Sequence, residues 1–316
     1  MKTVGDRLRD PTWWRYGSYA FDWILCIVLI AVFLYLDSVD PFHREFSVQN
    51  PAIMYSYRPT DSVPAWSLIV ISVAGPVVLI LLIGLGIRHS PYDVHNGVLG
   101  LLVSVLLTTM ITQVIKVTVG KHRPDFLARC IPMLNGVQLT QDEPLSLWTE
   151  DVCTQTDKSV LQEGMRSFPS GHASTAFAGL FYLSLWMAGK MHVFDLRGYA
   201  IKGVILIIPI MGALLIAISR VRDYRHSGVD VTWGSIIGII FAVFAYFQYY
   251  PSLAKATSHV PHPPRDFSQL VKDTEGHVHE AGYIEQFTGI ERNEEFVDES
   301  RGSPLPITAS GVGTGD

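Results

Sequence analysis

Six apolar stretches set the terms on which this chain can fold. They cover residues 19–36, 66–87, 98–115, 173–188, 203–218 and 231–250, and each approaches the roughly 20 residues a helix needs to cross a hydrocarbon core. A segment in lipid must satisfy its backbone internally, so runs of this length read as helices. The first, third and fourth are weaker. They carry Asp22, several threonines with Gln113, and a Ser/Thr-rich start, respectively. Only 17% of residues are charged, against roughly 25% in soluble domains, which fits a bilayer environment. The expected fold is all-α and polytopic, with six transmembrane helices over 19–250, a cytosolic segment at 1–18 and one long loop at 117–170. The first run is too long, and lacks the small-residue cleavage site, of a removed signal peptide; it reads as a retained signal anchor.

Six crossings put both termini on one side. Trp13, Trp14 and Tyr16 precede the first stretch, and Tyr246, Phe247, Tyr249 and Tyr250 end the last, as interfacial aromatic belts do. Lys2, Arg7, Arg9, Arg15, Arg88, Lys190, Arg197 and Lys202 fall on the terminal side, which the positive-inside rule assigns to the cytoplasm. Connections 37–65, 116–172 and 219–230 then face a lumen or the exterior. After Pro251 the chain holds five Lys/Arg and eleven Asp/Glu; with its proline-rich, acidic and Gly/Ser/Thr-rich parts, 251–316 is expected to be a disordered cytosolic tail. That tail accounts for the net charge of −5, and no basic field remains for nucleic acid. Cys26 sits in an apolar run. Cys130 and Cys153 lie in the long loop, without the C-x-x-C spacing of a zinc site. They can form a disulfide if the loop faces an oxidising compartment.

Three short motifs stand at the ends of these stretches. The first is K-x6-RP (Lys116, Arg123, Pro124), the second SFPSGH (167–172), the third SR-x5-H-x3-D (Ser219, Arg220, His226, Asp230). Alternating helix direction places all of them on one membrane face. A transferring phosphoryl group spreads negative charge over its oxygens, so positioned cations and donors are its main stabilisation. Lys116, Arg123 and Arg220 supply cations, the arginines as bidentate forks. Ser170 adds a hydroxyl, and Gly171 permits close backbone approach at a helix N-terminus. Histidine can carry a phosphoryl group covalently. His226 is the expected nucleophile, with Asp230 four residues on to orient its ring, and His172 the expected general acid. Taken singly, Lys116 reads as a snorkelling lysine, Arg123-Pro124 as a loop turn, Ser170 as a helix cap and His226/Asp230 as a surface pair; one phosphate site accounts for all of them together. Arg222 and Arg225 read as interfacial charges, and His122 and Asp125 as supports of the first motif. Asp22 reads as interfacial or structural, and Gln113, Thr108, Thr109 and Thr112 as helix-packing groups. His259, His262, His277 and His279 read as incidental.

These motifs resemble the signature of the type-2 phosphatidic acid phosphatase family, which shares its site with vanadium haloperoxidases. The wider segments at 121–130 and 223–226 are similar to the fungal and plant lipid phosphate phosphatases, including diacylglycerol pyrophosphate phosphatases. The resemblance covers about residues 15–250 and leaves out the tail. It implies a phosphatidic acid phosphatase type 2/haloperoxidase-like helical core, independent of magnesium and of any cofactor, acting through a phosphohistidine. Carried onto this chain, His226, Asp230 and His172 become catalytic, and Lys116, Arg123, Ser170, Gly171 and Arg220 bind phosphate. The expected substrate is a membrane phospholipid: diacylglycerol pyrophosphate, phosphatidate or lysophosphatidate, in a vacuolar, endoplasmic reticulum or plasma membrane. The alternatives are a polyprenyl pyrophosphate or sphingoid base phosphate at the same site, or an inactive membrane signalling or transport protein.

Overall fold

The computed structural model describes residues 19–144, 146–194 and 198–263. The expectations for 1–18, for Arg197 and for the tail beyond 263 lie outside the described residues. In chain order the helices are α1 (Ala20–Ser38), α2 (Ala65–Ile87), α3 (Pro91–Val119), the short α4 (Phe126–Cys130) and α5 (Lys158–Gly164), then α6 (Gly171–Lys190), α7 (Ala200–Arg222) and α8 (Gly228–Tyr249). The six long ones coincide with the six apolar stretches. Five of them, all but α6, are long and apolar enough to cross a membrane.

The exception has a packing cause. α6 lies in the middle of the bundle, packed by α3, α7 and α8, and buries Ala173, Ser174, Thr175, Ala176, Ala178 and Gly179. Surrounded by protein, it needs small residues for close approach more than greasy ones. Ser104 Oγ donates to the Ala178 carbonyl at 2.9 Å, and Thr112 Oγ1 to Ser174 Oγ at 3.0 Å, so threonine and serine on α3 serve α6, as expected for packing groups. The peripheral helices are the reverse. Phe21 and Leu34 on α1 and Ile208 and Leu215 on α7 are more than half exposed, a surface that lipid, rather than water, would solvate.

The contact of α8 with α6 sets the register of the motifs. A Cβ added at Gly234 would lie 2.5 Å from the Ser170 carbonyl oxygen, and one at Gly238 would lie 2.4 Å from that of Ser174. Only glycine lets the two backbones come this close, the small-x3-small arrangement of membrane helix pairs. Helix starts are placed by side chains. Ser170 caps α6, and Ser227 forms a capping box with Asp230 at the start of α8. α3 stops at Gly120, whose φ of +56° and close approach to the Phe42 carbonyl oxygen leave no room for a side chain.

The long loop is not a loose connection. Phe46, Val48 and Ile53 from the first connection form a common core with Phe126, Cys130 and Met165 from the second. Phe46 and Trp148 exchange backbone hydrogen bonds of 2.9 and 2.8 Å, a disulfide joins Cys130 to Cys153, and a two-stranded hairpin pairs β1 (Met133–Leu134) with β2 (Val137–Gln138). The two connections thus make one cap over the bundle end. At the other end, residues 251–263 depart from the tail expected there: they pack on the helices. Lys190 Nζ donates to the His259 carbonyl at 2.7 Å, Tyr92 OH to that of His262 at 2.8 Å, and Ser258 is buried. Asp22 accepts from Tyr249 OH at 2.9 Å, joining α1 to α8.

Gly238→Val should therefore lower the thermal midpoint of the detergent-solubilised protein by an overpacking cost of about 1–3 kcal/mol. Gly203, where an added Cβ would meet open space, is the control: Gly203→Ala should leave the midpoint in place or raise it slightly, since alanine is the better helix former.

Candidate active site

The cap covers four helix ends. Lys116 ends α3, Ser170 to His172 begin α6, Ser219 and Arg220 end α7, and Asp230 lies in the first turn of α8. Arg123 and His226 sit on the adjoining loops. His226 is 2% exposed. Burial, then the charges of Arg123, Lys116, Arg220 and His172, hold its pKa well below 6.5, so the imidazole is neutral at neutral pH. The sequence-predicted cations and His172 thus all act electrostatically on His226. His226 Nδ1 lies 2.7 Å from the Ser167 carbonyl oxygen. A carbonyl can only accept, so Nδ1 carries the hydrogen and Nε2 the lone pair.

Here the structure corrects the sequence reading, which gave that ring nitrogen to Asp230. The i,i+4 argument needs both residues on one helix, but α8 starts at Gly228, after His226. Asp230 is fully buried and takes other donors. Its Oδ2 accepts from Ser167 Oγ at 2.7 Å and from the Ser227 N–H at 2.9 Å, and its Oδ1 from Lys121 Nζ at 2.6 Å. Asp230 reaches the histidine through Ser167.

The expected phosphate ligands divide by environment. Arg123 is 5% exposed, and its Nη2 lies 3.2 Å from Glu163 Oε1. Burial lowers its pKa to about 10, so it stays charged at neutral pH. Arg220 Nη2 lies 3.2 Å from Asp61 Oδ2, and its Nη1 donates to the Val63 carbonyl at 3.2 Å. That carbonyl is also 3.1 Å from His172 Nε2. Among the described residues the Lys116 ammonium has no ion pair; it faces the turn at Gly171, where a Cβ would meet Nζ at 3.4 Å. Ser170 is the cap of α6, and its backbone N–H donates to the Asp230 carbonyl at 2.9 Å. The open donors of the turn are therefore the N–H groups of Gly171 and His172, which have no partner within the helix.

Arg225 needs a second correction. It is not an interfacial charge but 4% exposed. Its Nε lies 2.8 Å from Asp61 Oδ1, its Nη1 3.6 Å from Asp125 Oδ2, and its Nη2 donates to the Arg58 carbonyl at 2.7 Å. Arg222 is exposed, as expected. Asp125 grips Arg129 through hydrogen bonds of 3.0 and 2.9 Å. His122 packs between Phe46 and Phe126; burial and Arg44 push its pKa to about 4, so it adds no charge. Burial pushes Glu163 up, but Arg123, Arg129 and Arg225 outweigh it and pull the carboxyl down to about 2.

Within this group five cations (Lys116, Arg123, Arg129, Arg220, Arg225) face three carboxylates (Asp61, Asp125, Glu163). Asp61 and Glu163 also line a cleft of about 510 Å³ with Tyr57, Pro59, Pro64 and Arg225. Sequence reasoning missed Asp61, Val63, Lys121, Glu163 and the part played by Ser167. Only Ser167 and Lys121 carried a signal, through their place inside or beside a motif.

Arg225→Ala should cost on the order of 2 kcal/mol of stability, because it strips a buried partner from Asp61 and Asp125. Thermal unfolding in detergent checks this, with Arg222→Ala expected to leave the midpoint in place.

The chain matches the PAP2 superfamily over residues 97–253. It is 38% identical over 261 residues to lipid phosphate phosphatase 2 of Arabidopsis thaliana, spanning 82% of this chain and 86% of that protein. Lipid phosphate phosphatase 1 of the same plant is 38% identical over 237 residues, 75% of this chain and 69% of that one. Diacylglycerol pyrophosphate phosphatase 1 of Saccharomyces cerevisiae is 34% identical over 264 residues, 82% and 86% of the two chains. No solved structure gives a match. The helical bundle, the three motifs gathered at one of its ends and relatives aligned over most of both chains lead to one assignment: this multi-pass membrane protein belongs to the PAP2 superfamily.

Proposed function

We propose that this protein is a metal-independent lipid phosphate phosphatase that works through a phosphohistidine on His226. The observation that carries the reading is the buried, neutral His226, with Nδ1 held by the Ser167 carbonyl, Nε2 left with its lone pair, and the charges of Arg123, Lys116 and Arg220 acting on the ring. The names of the relatives, lipid phosphate phosphatase and diacylglycerol pyrophosphate phosphatase, support a lipid phosphate substrate, for which diacylglycerol pyrophosphate, phosphatidate and lysophosphatidate are the proposed candidates.

In the proposed reaction Lys116, Arg123, Arg220 and the first-turn N–H groups of α6 bind the phosphoryl oxygens and offset the charge that spreads over them. His226 Nε2 attacks phosphorus, a nitrogen–phosphorus bond forms and the bond to the leaving oxygen breaks. His172, its Nε2–H held by the Val63 carbonyl, gives that oxygen the proton of Nδ1, which the ring takes up as the bound phosphate offsets the burial and the Arg220 and Lys116 charges that otherwise hold its pKa at about 3. A water then attacks the phosphohistidine and passes its proton to His172. The nitrogen–phosphorus bond breaks and inorganic phosphate leaves, restoring both histidines. A site at the bundle end suits a substrate whose acyl chains stay in the bilayer.

We also place the cap in the lumen or exterior and the termini in the cytosol. Arg88, Lys190 and Lys202 at the opposite end support this, as does the Cys130–Cys153 disulfide in the cap. Val137, 69% exposed, offers a test. Val137→Thr creates an N-x-T acceptor at Asn135. An endoglycosidase-sensitive mobility shift is expected; an active variant that gains no glycan would contradict the orientation.

Purified protein should release phosphate from these lipids with EDTA present, and His226→Ala should reduce release to background. Arg123→Ala should lower kcat by about 10²–10³-fold. Activity abolished by the chelator, or retained by His226→Ala, would overturn the mechanism. A side-by-side lipid panel identifies the substrate.

A further inference from the structure

Resting on that reading, we infer that Lys121 and Ser167 are positioning residues for the nucleophile, and that Lys121, although outside the K-x6-RP positions, sets how His226 is held. The geometry is a closed ring. The Ser167 N–H donates to the Lys121 carbonyl at 2.9 Å. Ser167 Oγ donates to Asp230 Oδ2 at 2.7 Å, and Lys121 Nζ returns to Asp230 Oδ1 at 2.6 Å. Lys121 Nζ also donates to Ser227 Oγ at 3.1 Å, beside His226 in the chain. Ser167 is thus fixed at its N–H and its hydroxyl. Its third polar group, the carbonyl, receives His226 Nδ1 at 2.7 Å.

The chemistry follows from which atoms are pinned. A carbonyl aimed at Nδ1 keeps the hydrogen there and the lone pair on Nε2. It also fixes the plane of the ring, the task a partner group performs for a ligating or catalytic histidine. The carbonyl keeps its aim only while the Ser167 hydroxyl is anchored. Its anchor, Asp230, is a carboxylate with no exposure at all, and Lys121 is its sole ion-pair partner among the described residues. A buried carboxylate stripped of its cation either takes up a proton or recruits another cation. Lys121 therefore keeps Asp230 on the ring, while its own side chain remains 35% exposed.

This role separates from phosphate binding and from mere structure. Lys121→Met and Ser167→Ala should each lower kcat by about 10–100-fold, with KM and inhibition by inorganic phosphate changed by no more than about twofold. Lys121→Arg and Ser167→Thr, which restore the charge and the hydroxyl, should recover most of the loss. Unchanged kcat, a rise in KM with kcat intact, or a loss that tracks the folded fraction in thermal unfolding would overturn the proposal. A second readout needs no turnover: the 15N spectrum of the His226 imidazole in the full-length protein. It should show hydrogen on Nδ1 in the wild type and a mixture of tautomers in Lys121→Met. The same tautomer in both proteins would sink the positioning role. Wild-type protein that shows the fixed tautomer, loses it in Lys121→Met, yet releases no phosphate would support the positioning role and remove the phosphatase reading instead.

Discussion

Asp230 is a carboxylate with no access to solvent, and every donor it accepts comes from one of the three motif regions: Lys121 from the first, Ser167 from the second and Ser227 from the third. A buried charge is tolerable only when paired and hydrogen-bonded, so the fold cannot satisfy Asp230 without bringing the three regions together. Its backbone carbonyl adds the Ser170 N–H, which ties the start of α8 to the start of α6. The glycines at 234 and 238 make that approach possible by removing the side chains that would hold the helices apart. The position of His226 is a consequence of this arrangement more than of anything its own side chain does.

Around that anchor the protein gathers like charges, which opposes folding unless something offsets it. The offset comes from the cap. Asp61 holds Arg220 and Arg225, and Glu163 holds Arg123 and Arg129. Both carboxylates line one cleft together with Arg225. The cap is therefore part of the electrostatic design, and its own core and disulfide keep those carboxylates in place. The two cation-binding carboxylates come from opposite ends of the sequence between α1 and α6, which explains why the two connections must fold as one body.

The helices were legible because length and apolarity alone determine a membrane span; even α6, too polar for that test, was placed by its motif start and its alternation with its neighbours. The residues found at one bundle end were legible where a motif ties them to a helix end, as with Lys116, His172 and Arg220, or to the loop beside it, as with Arg123 and His226. What failed depended on a boundary of a few residues. With α8 starting two residues after His226, Asp230 could not face the ring as a helical neighbour. Arg225 was misplaced for a related reason: its partners Asp61 and Asp125 lie roughly a hundred or more residues away, beyond the reach of local pattern. Residues 251–263 looked like the polar tail that follows them, yet they pack on the helices through backbone carbonyls taken by Lys190 and Tyr92, a contact that composition does not encode.

The proposed reaction passes through a covalent intermediate at one nitrogen. Rapid quenching of the purified protein during turnover of a lipid phosphate labelled with radioactive phosphorus tests it most directly. The expected result is an alkali-stable, acid-labile phosphoryl group on the peptide containing His226, formed and discharged at the rate of turnover. A label on any other residue, or steady turnover with no labelled protein at any quench time, would contradict it.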